Sequence, residues 1–568
     1  MTLPMPNTNG TASKHSACEE TIEKRPPYWI PIYEEVAWTP TQRLRVISIG
    51  AGFSGLTMAN KIQNKYKLDS IIEHVIYEKN CDIGGTWLEN RYPGVMCDVP
   101  AHMYTLLDLP NPEWPSFYAT GAEIQAYLHR ITRVHSLDRD IRLNSRVTEA
   151  IWEERSGTWK VQVQQGEKVL EDWCHVLLNG SGVLNGWSWP KIQGLDQFQG
   201  HLCHSADWKN DYDFSGKRVA VIGNGSSGIQ IVPQLQKTAA KVLNYARSPT
   251  WISAPYLEDL KGPEPNPKYS EEQKNFYREN PGGLREYRKK MTHEFNKFYE
   301  ALIEGSIPNQ KARERAHTSM IEALQNSPDL IDKLVPTWSL GCRRITPGNG
   351  YLAALSEKNV ELMTTPIEKI TATGIVTSDG RFEQLDAIVC ATGFDVSFRP
   401  RWRQLGRDGR DLAREWDEHA TSYFSLCVSG QPNYFMYNGP ASPVAHGSLP
   451  SAIDWEAEYM IKWITKMARE DIKSFEPRAE VQEAWNTWGD ELLKRTVWNS
   501  GCSSWYKRSG RISALYPGSI LHFKDCIENI RGEDFDVRYR SRNRWRFLGN
   551  GFTELERQGG DLAYYLEH

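Results

Sequence analysis

The chain has 568 residues and a formal net charge of −4, from 67 basic and 71 acidic side chains. This length exceeds one ordinary hydrophobic core and predicts about two to four domains, while the near balance of charge excludes a strong general attraction to nucleic acid or an anionic membrane. Ten cysteines without paired spacing predict reduced thiols and no metal site, and the absence of a signal region and of a long apolar run predicts a cytoplasmic protein without a membrane span.

The first predicted unit is a strand, a glycine-rich turn and a helix. The strand covers Leu44–Ile49 and is followed by glycines in the order G-x-G-x-x-G, at Gly50, Gly52 and Gly55. The first glycine permits the tight turn, the second lets a pyrophosphate approach the backbone, and the third lets the helix pack on the strand. A second strand ends at Glu78, whose carboxylate can bond ribose hydroxyls, so we expect an unphosphorylated adenosine here.

The segment between this unit and the next glycine turn alternates loops, a helix and short strands. The glycines and prolines of residues 81–104 predict an ordered, irregular loop that covers the reactive ring of the first cofactor; a surface loop with buried aromatic residues is the alternative. A helix is predicted over Glu123–His135, and strands over Val147–Trp152 and Trp159–Val163. The apolar run that begins at Val176 predicts a strand that returns the chain to the first domain.

A second strand, glycine turn and helix follow in the same order. The strand covers Val219–Ile222, and the glycines are Gly223, Gly225 and Gly228. Its second strand ends at Arg247, and a guanidinium at this position suits a 2′-phosphate. One such motif alone is a weak signal, but two complete units with opposite charges at their ends predict two different nucleotides, the second of them NADP.

The remainder of the chain predicts an insertion and a return to the first domain. Lysine, glutamate and arginine at helical spacing predict a helical insertion at about 258–332. A turn-rich loop then carries Arg343 and Arg344, a candidate for binding an anion. The strand at 386–390 leads into a turn of small residues and is interpreted as the crossing back to the first domain, and a helix is predicted over Trp455–Met467.

Several of these motifs resemble those of one enzyme family. Between the two glycine turns lies the pattern F-x-G-x-x-x-H-x-x-x-W, from Phe198 through His204 to Trp208. With the segments 84–87, 97–98, 343–344, 391–395 and 504–506, it resembles the Baeyer–Villiger monooxygenases, which are class B flavoprotein monooxygenases. The resemblance runs from about residue 40 onward. Two residues depart from the family pattern: Lys209, where the family often has Pro or Asp, and Arg343, where a Lys is common.

The resemblance implies an α/β fold with two Rossmann-like dinucleotide-binding domains, one for FAD and one for NADP, and a helical insertion. The expected parts are an N-terminal extension at 1–40, the first part of the FAD-binding domain at 41–190, the NADP-binding domain at 191–381 with its insertion at about 258–335, and the second part of the FAD-binding domain with a C-terminal segment at 382–568.

The resemblance also implies a reaction. NADPH reduces FAD, O₂ converts the reduced flavin to a C4a-peroxyflavin, and one oxygen is inserted next to the carbonyl of a ketone to give an ester or lactone. We expect a bulky cyclic or polycyclic ketone of secondary metabolism. The resemblance implies that Arg344 stabilises the negatively charged peroxyflavin and the tetrahedral intermediate that follows it. It also implies that Asp98 orients Arg344 and that Trp505 holds NADP⁺ in place. His204 is expected to be structural or to couple the domains.

The other expected cofactor contacts come from both glycine turns and from the loops around them. They are Gly50, Gly52, Phe53, Ser54, Gly55, Glu78, Gly85, Thr86, Trp87, Asp98, Val99, Tyr104 and Val147 for the first site, and Gly223, Gly225, Ser226, Ser227, Gly228, Gln230, Arg247, Ser248, Arg343, Ala391, Thr392 and Gly393 for the second site and its border.

Three other functions stay open on the sequence. The first is a heteroatom oxygenase that makes sulfoxides or N-oxides, against which Trp208 and the Asp98–Arg344 pair weigh. The second is an NADPH oxidase or reductase that oxygenates nothing. The third is an idle nucleotide-binding scaffold, against which the intact glycines of both turns weigh.

Overall fold

The structure is a computed structural model and describes residues 25–253, 257–348 and 350–566. Of the extension predicted over 1–40, the first 24 residues lie outside the described residues, and residues 25–40 contain no helix or strand.

The described chain is an α/β fold in which two parallel sheets carry most of the core. Its strands are β1 Leu44–Ile49, β2 Ile72–Tyr77, β3 Ile141–Arg142, β4 Arg146–Glu153, β5 Thr158–Gln165, β6 Lys168–Cys174, β7 Val176–Asn179, β8 His201–His204, β9 Arg218–Ile222, β10 Lys241–Tyr245, β11 Ile252–Ser253, β12 Thr346–Pro347, β13 Val360–Met363, β14 Ile367–Thr371, β15 Gly374–Thr377, β16 Phe382–Gln384, β17 Ala387–Cys390, β18 Arg403–Leu405, β19 Tyr434–Met436, β20 Ile472–Pro477, β21 Lys507–Arg508, β22 Arg511–Ile512 and β23 Phe535–Tyr539.

The described residues form fifteen α-helices. They are α1 Phe53–Asn60, α2 Thr86–Glu89, α3 Gly121–His135, α4 Ser226–Gln236, α5 Glu258–Lys261, α6 Glu271–Glu279, α7 Pro281–Asn296, α8 Ile307–Leu324, α9 Pro328–Leu334, α10 Tyr351–Leu355, α11 Leu412–Glu415, α12 Leu449–Arg469, α13 Ala479–Leu493, α14 Ile520–Ile527 and α15 Glu554–Arg557.

The first sheet has the strand order β19-β7-β1-β2-β3 and is parallel throughout. β1 lies in its middle and is almost wholly buried, as its apolar sequence LRVISI requires of a strand that is covered on both faces. α1 connects β1 to β2, so the predicted strand–turn–helix–strand unit is confirmed. The strand that begins at Val176 returns the chain to this sheet beside β1, as predicted.

The second sheet has the order β13-β10-β9-β17-β8 and is also parallel. α4 connects β9 to β10, which confirms the second predicted unit. The interpretation of 386–390 as the crossing to the first domain is wrong, because β17 pairs with both β8 and β9 in the second sheet. The chain returns to the first domain only after residue 390, where β18 pairs with β4 and β19 pairs with β7. A boundary at residue 382 would therefore divide the second sheet.

Helix starts and the insertion agree closely with the sequence patterns. α3 begins after Thr120, whose hydroxyl accepts from the backbone N–H of Glu123, while the Glu123 carboxylate accepts from the Thr120 N–H; this capping box extends the helix predicted over Glu123–His135 by two residues. The charged stretch forms α5 to α9, as predicted for a helical insertion. The loop at 81–104 is irregular apart from one helical turn, α2.

Candidate cofactor and active site

A cavity of about 650 Å³ extends from the carboxyl end of the first sheet to the start of α4 in the second domain. Ligands of open parallel sheets bind beyond the carboxyl ends of the strands, so the position is the expected one. Of the predicted site residues, the following line this cavity: Gly50, Gly52, Phe53, Ser54, Glu78, Gly85, Thr86, Trp87, Asp98, Val99, Tyr104, Val147, Ser226, Ser227, Gln230, Arg344 and Trp505.

A second group of predicted residues does not line the cavity. Most of its members lie in the second glycine turn, after β10 or after β17. They are Gly55, Gly223, Gly225, Gly228, Arg247, Ser248, Arg343, Ala391, Thr392 and Gly393.

The glycines of the first turn have different steric roles. Gly50 has φ of +106°, and a Cβ there would lie 2.6 Å from the carbonyl oxygen of Gly180. A Cβ at Gly55 would lie 2.2 Å from the Gly50 carbonyl oxygen. Neighbouring backbone atoms therefore leave no room for a side chain at Gly50 or at Gly55. At Gly52 the nearest atom to such a Cβ is the Gly85 Cα at 3.7 Å, which is ordinary contact. Gly52 therefore leaves open space in which the pyrophosphate of a dinucleotide can come close to the protein backbone.

The carboxylate of Glu78 is held by two backbone N–H groups, one of them in the first turn. Its Oε2 accepts from the Ala51 N–H and its Oε1 from the Asn80 N–H, each at 2.8 Å. Burial raises the pKa of the Glu78 carboxyl, and the two backbone donors oppose that change. Each oxygen keeps a lone pair, so the side chain can accept further bonds from hydroxyl groups in the cavity.

The guanidinium of Arg344 is fixed by two partners at the cavity wall. Its Nε and Nη2 donate to the two oxygens of Asp98, each at 2.7 Å, and its Nη1 donates to the Val444 carbonyl oxygen at 2.7 Å. A two-point contact between a guanidinium and a carboxylate fixes the plane of the guanidinium. The structure thus brings together the two predicted catalytic residues in one orientation at the edge of the cavity.

Arg343 points away from that cavity and towards the end of β10. Its Nη2 donates to Ser248 Oγ at 2.7 Å, and its Nε donates to the Ser503 carbonyl oxygen at 2.6 Å. Burial lowers the pKa of Arg343, and the positive charge of Arg247 lowers it further. Two guanidinium groups that repel each other beside a hydroxyl form a site that a bound anion would stabilise.

The second glycine turn repeats the sterics of the first. A Cβ at Gly223 would lie 2.4 Å from the Ala391 carbonyl oxygen, and one at Gly228 would lie 2.3 Å from the Gly223 carbonyl oxygen. A Cβ at Gly225 would have no atom within 4 Å. The middle glycine again faces open space, while Ala391, at the end of β17, closes the turn from one side.

His204 is buried and packed between aromatic and polar neighbours. Its ring stacks on Trp187, with ring centroids 4.4 Å apart, its Nδ1 accepts from the Ala206 N–H at 3.1 Å, and its Nε2 lies 3.3 Å from Thr392 Oγ1. Burial lowers the pKa of His204 to about 4, so the imidazole is neutral near pH 7. Trp187 itself lines the cavity, and His204 therefore contacts the cavity only through that ring.

A disulfide joins the arginine loop to the C-terminal segment. Cys342, next to Arg343, is bonded to Cys502, and their Cα atoms are 6.2 Å apart. The expectation of reduced thiols is wrong for this pair. The two cysteines are separated by 160 positions, so their spacing carried no sign of a bond that only the fold brings within reach. The bond tethers the segment that carries Trp505, which lines the cavity.

Three polar atoms of the cavity wall have no partner among the described residues. They are Trp87 Nε1, Tyr437 Oη and Asn438 Oδ1, all buried. Buried polar atoms are nearly always paired, so these positions fit a ligand with hydrogen-bonding groups of its own. Tyr437 and Asn438 were not predicted as site residues from the sequence. Their position directly after a parallel strand, β19, is the signal that could have identified them.

Residues 25–253, 257–348 and 350–566 contain neither a candidate metal site nor a helix that could span a membrane. No cluster of at least three His, Cys, Asp or Glu side chains there could hold a metal ion. Over the same ranges, every helix is too short or too polar to cross a membrane.

Comparison with known sequences gives consistent matches. A family model described as flavin-binding monooxygenase-like matches residues 43–261. The FAD-binding monooxygenase tazF of Aspergillus terreus is 44% identical over 562 residues, which is 98% of this chain and 100% of that protein. A Baeyer-Villiger monooxygenase of Pseudomonas aeruginosa is 34% identical, with 84% of this chain and 89% of that protein aligned.

Solved structures also match most of the chain. Cyclohexanone monooxygenase from Rhodococcus sp. Phi1, solved bound to NADP⁺, superposes with a TM-score of 0.75 at 26% identity, and covers 88% of this chain and 100% of that one. An oxidized steroid monooxygenase bound to NADP superposes equally well, with a TM-score of 0.75 at 26% identity and the same coverage.

Proposed function

This chain belongs to the Baeyer–Villiger monooxygenases, within the flavin-binding monooxygenases, and on that premise we propose that it uses FAD, NADPH and O₂ to insert one oxygen next to the carbonyl of a ketone. The product is an ester or lactone. The finer parts of the proposal are the C4a-peroxyflavin route, a bulky cyclic or polycyclic substrate and a cytoplasmic location.

The observation that carries the proposal is the Asp98–Arg344 pair at the wall of a cavity that reaches from the first glycine turn to the start of α4. A fixed guanidinium suits an oxygen insertion because the reaction passes through negatively charged oxygen species, and a preorganised cation stabilises these without reorganisation. A reductase that only moves hydride makes no such demand. The guanidinium here donates from all three of its nitrogens to acceptors of the protein, so its orientation is set before the reaction.

The residues of the first site fit FAD. Gly52 leaves open space for a pyrophosphate, Glu78 offers acceptors for ribose hydroxyls, and unpartnered buried polar atoms line the cavity. When bound and reduced, FAD would supply the activation of O₂, which no side chain can provide. The protein's own part is to bind the group, to exclude water around it and to hold Arg344 beside it.

The residues of the second site fit a 2′-phosphorylated nucleotide. Gly225 leaves open space at the start of α4, and the helix N-terminus favours phosphate. Arg247 and Arg343 lie close enough to repel each other beside Ser248. A 2′-phosphate between them would relieve that repulsion, which supports NADPH rather than NADH. Trp505, on the disulfide-tethered segment, is the proposed residue that retains NADP⁺.

The test is a product screen with the purified, FAD-loaded protein. NADPH consumption is followed over cyclic ketones of rising size, and each product is identified by its mass. Ketones that gain 16 mass units as esters or lactones, with matching NADPH use, would support the proposal (about one oxygen atom per turnover). A protein that oxygenates sulfides or amines but no ketone would be a heteroatom oxygenase, and one that yields only hydrogen peroxide would be an oxidase.

A further inference from the structure

The two residues after β19, Tyr437 and Asn438, line the cavity. Asn438 lines the cavity, and so does Val444, whose carbonyl accepts from Arg344. The preceding residue, Tyr437, is anchored to the first sheet, because its N–H donates to the Asn179 carbonyl oxygen at 2.9 Å. Glu78, the expected ribose contact, follows β2, and β1 and β7 separate β2 from β19 in the first sheet. The ring of a bound FAD would therefore extend towards Asn438.

The Asn438 backbone is held in an unusual conformation. It has φ of +49°, in the left-handed region that residues other than Asn, Asp and Gly rarely adopt. Strained residues of this kind persist where the surroundings determine them, and they gather at functional sites. In this conformation the residue is only 6% exposed, and its Oδ1 atom has no partner among the described residues.

A buried carboxyl group binds the backbone N–H of Asn438. Glu456, on α12, is fully buried, and its Oε1 and Oε2 lie 3.1 and 3.3 Å from the Asn438 N–H, which donates to them. Burial raises the pKa of Glu456 well above its usual value, since a single backbone donor does not offset the loss of water. Burial therefore favours the neutral, protonated form of the Glu456 carboxyl group.

We infer that the Asn438 carboxamide contacts the flavin ring at its imide edge, and that Glu456 is the positioning residue that holds Asn438 there. The inference rests on the proposed function, because it needs FAD in this cavity. The imide edge presents an N3–H between two carbonyl groups. A carboxamide is complementary to it, since its oxygen accepts from N3–H and its nitrogen donates to a carbonyl.

The test compares FAD with 3-methyl-FAD, in which a methyl group replaces the N3 hydrogen. Apoprotein is titrated with each, and the dissociation constants are obtained from flavin fluorescence. A neutral hydrogen bond contributes about 0.5–1.5 kcal/mol, so the wild type should bind 3-methyl-FAD roughly two- to tenfold more weakly, with any steric clash adding to this. Asn438→Gly removes the carboxamide but keeps the left-handed backbone, and it should bind the two flavins equally.

The role of Glu456 is tested with conservative variants. Glu456→Gln keeps an uncharged acceptor for the Asn438 N–H and should retain the preference for FAD. Glu456→Asp withdraws the acid by one methylene and should lose the preference. Glu458→Gln is the matched control on the same helix: its carboxylate bonds Lys61, Lys65 and Tyr66, so it should lower Tm and keep the preference.

The outcomes separate this inference from the proposed function. A wild type that binds FAD and 3-methyl-FAD alike, or an Asn438→Gly protein that still distinguishes them, would overturn the assignment of Asn438. A Glu456→Asp protein with an unchanged preference would overturn the positioning role. A protein that binds neither flavin would contradict the proposed function itself.

Discussion

The carboxylate of Asp98 and the guanidinium of Arg344 meet in a two-point contact, 2.7 Å on each arm, although 246 positions separate them in the chain. Asp98 lies in the irregular loop of the first domain, and Arg344 belongs to the loop after the helical insertion. The contact therefore joins the two nucleotide units at the cavity. It also fixes the orientation of the guanidinium plane.

Loss of Asp98 should weaken the oxygenation step without abolishing it. In Asp98→Ala, Arg344 keeps its bond to the Val444 carbonyl but loses its two bonds to the carboxylate. We expect ester formation to fall by less than it does in Arg344→Ala, and hydrogen peroxide release per NADPH to rise. Oxygen-electrode and peroxide assays measure this partition. Asp98→Asn keeps one acceptor and should lie between Asp98→Ala and the wild type; an Asp98→Ala enzyme that couples as well as the wild type would contradict the orienting role.

Arg247 should distinguish NADPH from NADH. A charge-assisted hydrogen bond contributes about 1.5–3 kcal/mol, so Arg247→Ala should raise the NADPH KM roughly ten- to a hundredfold and leave the NADH KM nearly unchanged. Steady-state kinetics with both cofactors measure the effect. Equal losses with the two cofactors would show that Arg247 is structural.

The middle glycines should separate cofactor loss from fold loss. A Cβ at Gly52 or Gly225 meets no close protein atom, so Gly52→Ala and Gly225→Ala should fold with a Tm near that of the wild type. Gly52→Ala should nevertheless purify without bound FAD, and Gly225→Ala should bind FAD that NADPH reduces slowly. Absorbance spectra and stopped-flow reduction measure these properties. The control is Gly50→Ala, whose Cβ would lie 2.6 Å from a carbonyl oxygen, and it should lose stability. Similar FAD loss in Gly52→Ala and Gly225→Ala would contradict the division of roles.

The Cys342–Cys502 bond should be detectable as two hidden thiols. Reduction of the denatured wild type should raise its thiol count by two, and the double variant Cys342→Ser/Cys502→Ser should show no such gain. Cys526→Ser, an unpaired cysteine of intermediate exposure, is the control and should keep the gain of two. Because the bond tethers the segment of Trp505, the double variant should also have a raised NADPH KM. No gain of thiols in the wild type would show that the pair is reduced in the protein.

The sequence predicted the fold well where short-range patterns determine it. Both glycine turns, their flanking strands and the capped start of α3 depend on neighbouring residues, and they were predicted nearly to the residue. The partner strands of β17 and the bond between Cys342 and Cys502 depend on contacts across long stretches of chain, and local patterns carry no information about them. Tyr437 and Asn438 were missed for the same reason, since their importance comes from the strand that precedes them and from α12 behind them.

The stopped-flow partition of Arg344→Ala tests the central claim most directly. Loss of one preorganised donor to a developing oxyanion typically costs about 2.7–4 kcal/mol, or roughly a hundred- to a thousandfold in rate. Ester formation should fall by that factor, flavin reduction by NADPH should change far less, and the remaining turnover should release hydrogen peroxide. Arg343→Ala is the neighbouring control and should show the reverse pattern, with weakened NADPH use and retained coupling. An Arg344→Ala enzyme that still converts ketone to ester at nearly the wild-type rate would contradict the account.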